Sequence, residues 1–252
     1  MKEITSVKNK TVSEIKKLKQ KKYRSQTGTF LAEGYRNVCD SMQKVVAKML
    51  FVQEGVMEPI PPCEHTYLVT KEVMQELSDT DTPQGIAAVF SIPKEKEISS
   101  GRILLLNGVS DPGNMGTILR TALATGFTDI ILDEKCADVY SPKVIRSAMS
   151  AVCSLNLIRR KSLEEDIAIL KQQGYQVYAA ALTEDAVSLY ETDFREKSAL
   201  LFGSEANGII PELLAMADTT YIIPMAKEIE SLNVAVAAGV SMYELVRRHT
   251  DT

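Results

Sequence analysis

The sequence predicts an α/β protein: a parallel sheet covered by helices over residues 102–252, preceded by a small mixed α/β domain over residues 1–92 and joined to it by a linker at 93–101. Three observations carry that reading. From Ile103 onward, apolar runs of strand length alternate with stretches of helical period, from ILLLNGV through FTDIILD and YQVYAAAL to ALLFG and YIIPM. Strands that are apolar on both faces, with helices between them, build a parallel sheet covered on each side. The stretch Ser91–Gly101 (SIPKEKEISSG) is polar, charged and flanked by Pro and Gly, the composition of a domain linker. Charge also divides the chain: residues 1–24 hold nine Lys and Arg against two acids, a local +7 that leaves −11 for the rest of a chain of net charge −4.

In the first domain, Val12, Ile15 and Leu18 fall on one face of a helix over Thr11–Gln20. Thr11 or Ser13 is its candidate cap, with Glu14 three residues after Thr11 as a capping box requires. Thr29–Ala32 reads as a strand, Tyr35–Val46 as a helix after the Glu33-Gly34 turn, Ala47–Val52 and His65–Val69 as strands, Lys71–Leu77 as a short helix and Gln84–Phe90 as a strand. The basic first segment suggests a polyanion partner; a solvated lysine-rich helix face accounts for the same residues.

Composition excludes several classes. Apolar (45%) and charged (25%) fractions are those of an ordinary globular protein. There is no run of about 18 apolar residues, hence no expected membrane span, and MKEITSVKNK lacks the apolar core of a secretory signal, so the expected location is cytoplasmic. Cys39, Cys63, Cys136 and Cys153 have no CxxC spacing and read as reduced, buried thiols, with no metal site. With His65 and His249 the only histidines, chemistry resting on a His base, as in Ser-His-Asp and Cys-His hydrolases, is discounted.

In parallel sheets, ligands bind at the carboxyl ends of strands, and conspicuous loops follow Val109, Phe202 and Ile223. The first, NGVSDPGNMG, has glycines at 108, 113 and 116; that is not the GxGxxG of a dinucleotide site, although Asp133 ends the next strand. Its helix is expected to begin near Asn114, with the Asn114 amide as cap. Arg120 lies among Ile118, Leu119, Ala122 and Leu123 and calls for an anionic partner, a salt bridge or a surface position. The second loop, Gly203-Ser204-Glu205-Ala206-Asn207-Gly208, lets the backbone approach a ligand closely; Glu205 is placed to hold Arg120, to bind a hydroxyl, or simply to sit near a helix N-terminus. In the third, Pro224 ends a strand, and Ser231 and Asn233 open a helix of small apolar residues that belongs in the core or against a second subunit. Ser231 there is a candidate N-cap.

Taken in order, DPGNMGTILRTA, LLFGSEANGI and IPMAKEIESLNVAVAAG resemble the three motifs of the SpoU/TrmH family of S-adenosylmethionine-dependent RNA ribose methyltransferases, of the SPOUT class. The resemblance spans residues 103–247, and residues 1–90 look like that family's ribosomal-protein-like RNA-binding domain. It implies a C-terminal trefoil knot, an exception to unknotted topology, a homodimer formed through the knotted domain, and RNA, with ribosomal RNA the expected class, as substrate. It implies S-adenosylmethionine as cofactor, held at Gly203, Ile223, Met225 and Leu232, and assigns catalysis to Asn114, Arg120, Glu205, Ser231 and Asn233. Arg120 is left two roles: a deprotonated base, or a cation that binds the target phosphate, since guanidinium stays protonated in almost any setting. Glu205 and Asn114 are expected to orient it. The lysine arm becomes an RNA clamp, with Tyr23 and Arg24 placed to stack or pair with RNA. Two positions depart from the family: Lys227 and Ser150 stand where it usually has Gly. Lys227 is the feature that favours the alternative, a catalytically silent RNA-binding or ribosome-assembly protein on the same fold.

Overall fold

A computed structural model describes residues 1–226 and 231–250, with the Thr250 side chain excepted. The chain forms two compact units, Met1–Lys94 with Asp138–Ser154, and Glu95–Ala137 with Leu155–Thr252. The segment Asp138–Ser154, which the sequence places in the second domain, groups with the first unit.

The first unit begins with β1 (Lys2–Ile4), α1 (Lys10–Lys16), a 3₁₀ turn at Lys17–Lys19, α2 (Lys21–Thr27), β2 (Thr29–Glu33) and α3 (Tyr35–Met42). It continues through β3 (Ala47–Gln53), β4 (Thr66–Val69), α4 (Lys71–Leu77) and β5 (Ile86–Ser91). The sheet runs β1-β4-β3-β5-β2, parallel from β1 to β3 and antiparallel at β5 and β2. Val12, Ile15 and Leu18 bury against Val73, Met74 and Leu77 of α4 and Phe51 of β3. The cap of α1 is Asn9, whose side chain accepts from Thr11 N at 2.8 Å. Thr11 and Ser13 already lie inside the helix, so the expected capping box does not form. Neither β1, short and polar, nor α2 (KKYRSQT), without an apolar stripe, was legible in the pattern.

This packing consumes part of the basic arm. Lys16 pairs with Glu76, and Lys19 Nζ donates to the carbonyls of Glu76 (3.1 Å) and Ser78, completing the C-terminal end of α4. Arg24 is buried, with Nη1 on the Leu18 carbonyl and Nη2 on Asp138, each at 2.6 Å. The expectation that Arg24 pairs with RNA is therefore corrected: its guanidinium is spent inside the protein. Tyr23 lies half-buried under the ammonium groups of Lys17 (5.5 Å) and Lys22 (6.0 Å).

The rest of the chain comprises β6 (Arg102–Leu106), α5 (Pro112–Ala124), β7 (Asp129–Leu132), α6 (Pro142–Ala148, in the first unit), β8 (Asn156–Arg159) and α7 (Glu164–Gln172). Then follow β9 (Gln176–Ala180), β10 (Val187–Ser188), β11 (Ser198–Phe202), α8 (Pro211–Leu214), β12 (Thr219–Ile222) and α9 (Val234–Thr250). The sheet order is β10-β12-β9-β11-β6-β7-β8, and every pair is parallel. All five residues of β11 are buried, because it lies between two strands with helices above and below. From β6 the chain builds outward through β7 and β8, then returns to the other side of β6. That reversal places the carboxyl ends of β6 and β11 side by side, the usual site of a ligand crevice. Among the described residues no helix is long and apolar enough to cross a membrane. The four thiols are free, but only Cys136 is fully buried; Cys39, Cys63 and Cys153 are half-buried.

Candidate active site

The frame of the site is a set of main-chain bonds. β6 and β11 pair in register with Leu106 opposite Phe202, and Asn107 N donates to the Phe202 carbonyl at 2.9 Å. The buried Asn107 side chain ties three loops together, with Nδ2 donating to Asp133 Oδ2 (2.7 Å) and Oδ1 accepting from Ile210 N (3.0 Å). Asp133 Oδ1 accepts from the main-chain N–H groups of Gly108, Lys135 and Cys136 at 3.0–3.1 Å. A carboxylate so occupied holds loops and is not presented to a ribose. Burial, reinforced by the Asp133 charge, pushes the Cys136 thiol up to about 12, so it stays protonated and donates to the Leu106 carbonyl at 3.2 Å.

Gly203 is where the turn after β11 closes on itself, Ser204 and Gly208 exchanging both main-chain bonds at 2.9–3.0 Å. A Cβ on Gly203 would stand 2.1 Å from the Gly208 carbonyl carbon, so no other residue fits. That closure projects the exposed Glu205 outward.

The cap of α5 is Asp111, not Asn114: Asp111 Oδ1 accepts from Asn114 N at 2.8 Å, and Pro112 occupies the first turn, where a missing N–H costs nothing. The correction matters chemically, because it frees the Asn114 side chain. Asn114 Nδ2 donates to Glu205 Oε1, and Asn114 Oδ1 accepts from Asn233 Nδ2 at 2.9 Å. Asn233 in turn caps α9, its Oδ1 accepting from Ala235 N (2.9 Å) and Val236 N (3.3 Å). The helix N–H groups thus dictate which way the Asn233 amide faces. Its Nδ2 then orients the Asn114 amide, which offers its own Nδ2 to the carboxylate. The order α9 N–H, Asn233, Asn114, Glu205 is a relay of fixed polarity. Ser231, the other candidate cap, is exposed and leaves that role to Asn233.

Arg120 is exposed on α5, about 9 Å along the helix axis from Asn114 at 1.5 Å per residue. Among the described residues no carboxylate lies within salt-bridge distance of it; Glu205, expected to hold it, is bonded to Asn114 instead. The exposed guanidinium is available to an external anion.

Beside the relay, a cavity of about 720 Å³ opens where β9 and β12 end. Ile223, Met225, Ser231 and Leu232 line it, as does Ala180-Ala181-Leu182 at the end of β9. Gly203 is not among its lining residues, and its role is the closure of the neighbouring turn. Residues 180–182 were missed in the sequence, although the rule about strand ends marks them; alanines carry no functional group to draw the eye. Lys227 lies outside the described residues.

Residues 101–243 match the SpoU rRNA Methylase family, and residues 9–88 match the MRM3-like substrate binding domain. The chain is 36% identical, over 97% of its own length and 99% of the relative's, to the 23S rRNA (guanosine(2553)-2′-O)-methyltransferase RlmP of Bacillus subtilis. It is 30% identical to the AdoMet-bound rRNA methyltransferase of Sinorhizobium meliloti, with a TM-score of 0.83 and 98% of each chain covered. The SpoU methyltransferase AviRb of Streptomyces viridochromogenes, solved with AdoMet, shares the fold at a TM-score of 0.86 and 23% identity, with 96% of this chain and 99% of that one covered.

Proposed function

The chain belongs to the SpoU rRNA Methylase family, and on that premise we propose that Asn114, Arg120, Glu205, Ser231 and Asn233 carry its chemistry while Ile223, Met225 and Leu232, with the turn closed at Gly203, shape its cofactor site. It is an S-adenosylmethionine-dependent RNA 2′-O-methyltransferase that acts on ribosomal RNA.

The residues present fit the cofactor. The cavity of about 720 Å³ lies within the range of roughly 300–1,000 Å³ typical of small-ligand clefts. Its apolar wall of Ile223, Met225 and Leu232 suits an adenine ring, and Ser231 supplies a hydroxyl at the rim. When bound, S-adenosylmethionine supplies a methyl group already activated on a sulfonium. The chain has two tasks left: to hold the ribose 2′-oxygen in line with that methyl, and to see the hydroxyl proton away as the new C–O bond forms and the C–S bond breaks. The observation that carries the reading is the relay. It fixes Glu205 with one oxygen bonded and leaves Oε2 with no hydrogen bond among the described residues, free to accept from the target hydroxyl. Arg120, exposed and without a carboxylate partner among the described residues, acts as a cation on the flanking phosphate and lowers the cost of developing negative charge on the 2′-oxygen.

Further assignments rest on the same basis. Residues 1–92 hold the RNA, the last strands and α9 are threaded as a trefoil knot, and the protein works in the cytoplasm. The target is a guanosine of large-subunit RNA, as the name of the Bacillus relative states for that protein. The protein is a homodimer through α9, whose Val236 (51% exposed) and Tyr243 (57% exposed) form an outward apolar stripe suited to a second copy. Methyl-labelled S-adenosylmethionine incubated with unmodified ribosomal RNA tests the activity: label is expected in the large-subunit RNA, and unlabelled RNA under saturating cofactor refutes the reading.

A further inference from the structure

The lysine arm accounts for charge near the substrate, but a second feature of the first unit has no place in the chemistry so far. A cleft of about 310 Å³ is bounded by Gly34 and Asn37 at the start of α3, by Thr82 and Gln84 ahead of β5, and by Arg146 and Met149 at the end of α6. Asn37 is 3% exposed, and its Oδ1 is buried with no hydrogen-bond partner among the described residues, while its Nδ2 reaches the Glu33 carbonyl only at 3.4 Å. A buried, unpaired amide oxygen is costly and asks for a donor. The N-cap residue of α3 is Gly34, at φ 91°, which has no side chain to offer, and the N–H groups of Arg36 and Asn37 have no acceptor among the described residues. Gln84 Oε1 takes the Tyr35 N–H at 3.1 Å, and Gln84 Nε2 has no acceptor among the described residues. Met149 adopts φ 55°, the one positive value among the described non-glycine residues, and such backbones collect at ligand sites.

The charges decide what kind of ligand belongs there. Arg146 lies 3.3 Å from Glu33 and 3.7 Å from Asp79, and Ser78 also donates to Glu33. The inner wall sets one guanidinium against two carboxylates and is rich in acceptors, a poor site for an anion. Only Arg36, at the rim, projects a cation that is mostly free, 84% exposed and 3.8 Å from Asp40. A fitting ligand is flat, uncharged, carries adjacent N–H donors with an acceptor beside them, and is tied to an anion outside.

We propose that this cleft receives one unpaired guanine of the RNA substrate, its N1–H and N2–H groups turned to Asn37 Oδ1 and the acceptor wall, its O6 to Gln84 Nε2 or the α3 N–H groups, and its phosphate to Arg36. This guanine is distinct from the nucleoside whose ribose is methylated, and the inference rests on the RNA-methyltransferase reading for the identity of the chain that carries it. The volume admits one nucleoside and no base pair. Unpaired bases read on their Watson–Crick edge are the usual means by which RNA sequence is recognised. The contact supplies selectivity that lysines on phosphates do not.

The test uses the full chain. GMP, AMP, CMP and UMP are titrated while the side-chain amide resonances of Asn37 and Gln84 are followed. Saturable shifts are expected, with GMP bound about tenfold more tightly than UMP, the discrimination of a good base-edge contact. Thr82→Trp fills the exposed rim without touching the core; it is expected to abolish the shifts and raise KM for ribosomal RNA about tenfold with kcat unchanged. The proposal is overturned by the absence of shifts with every nucleotide, by equal affinity for all four, by shifts that survive Thr82→Trp, or by an unchanged KM. Loss of the methyltransferase reading would instead show as wild-type protein that transfers no methyl to RNA, whatever the nucleotide titration gives.

Discussion

Asn233 performs two tasks with different atoms, and a single isosteric exchange separates them. Its Oδ1 caps α9 through Ala235 N and Val236 N, and its Nδ2 donates to Asn114 Oδ1. Asn233→Asp keeps an oxygen over the helix N-terminus and adds charge where the helix dipole favours it, by about 0.3–1 kcal/mol. Stability is therefore expected to hold or rise, with Tm up by as much as about 3 °C for a chain of this size. The same exchange puts an acceptor in front of Asn114 Oδ1. If the Asn114 amide stays, two oxygens face each other; if it turns over, its oxygen faces Glu205. In the first case a neutral amide bond is lost and an oxygen–oxygen repulsion replaces it; in the second the bond to the Glu205 carboxylate is lost, a cost of about 1–3 kcal/mol in either case. That corresponds to a fall in kcat of roughly tenfold to a hundredfold, nearer the lower figure because Glu205 is exposed and solvent screens it. Asn233→Ala loses both functions and is expected to melt about 2–4 °C lower as well, for a cap worth about 1 kcal/mol. Paired melting curves and methyl-transfer rates on the two variants decide the matter. Wild-type kcat in Asn233→Asp, or a Tm for it below that of Asn233→Ala, would refute the relay.

Other outcomes follow from the same contacts. Arg120→Ala should abolish transfer while shifting stability by no more than about 0.5 kcal/mol, because the side chain is exposed; measurable transfer by Arg120→Lys supports the cationic role, and its complete loss supports the base. Gly203→Ala should lower the urea midpoint by the equivalent of about 3 kcal/mol, since its Cβ would press on the Gly208 carbonyl carbon at 2.1 Å. Arg24→Met should cost about 2 kcal/mol in thermal unfolding, less than a fully buried pair because Asp138 keeps some contact with solvent. In α9, the Arg247 guanidinium, aided by Arg248, holds the Glu244 carboxyl below the usual glutamate range against the opposing effect of burial. A depressed folded-state value gives stability that is present above the ordinary range and lost as the pH falls below it, so Glu244→Gln should flatten the acid limb of the stability–pH curve, and an unchanged limb would count against that pair.

The second sheet was legible because its central strands are apolar on both faces, and a strand such as β11, buried along its whole length, has one reading, whereas the two-residue edge strand β10 carries no such signal. The three loops were legible because Gly, Pro and Asn mark turns by their backbone demands. What escaped depends on three-dimensional partners. Asn114 looked like a helix cap because both Asp111 and Asn114 are good caps, and only the chain path at Pro112 chooses between them. Arg24 looked like the end of a basic arm, and nothing local announces Asp138 as its partner 114 residues away. The relay joins Asn114 to Asn233 and Glu205, separated by 119 and 91 residues, so the resemblance named its members but not their order or polarity. The grouping of Asp138–Ser154 with the first unit is likewise a product of packing, and with it the cleft around Asn37.

The central claim is that Glu205, held by Asn114, and Arg120 direct a methyl group to a ribose oxygen. The most direct measurement is alkaline hydrolysis of ribosomal RNA labelled by the purified protein from methyl-labelled S-adenosylmethionine. A methyl on the 2′-oxygen blocks cleavage at that nucleotide, so the account predicts label confined to an alkali-resistant dinucleotide, and none with Arg120→Ala. Label released in mononucleotides would place the methyl on a base and contradict the account.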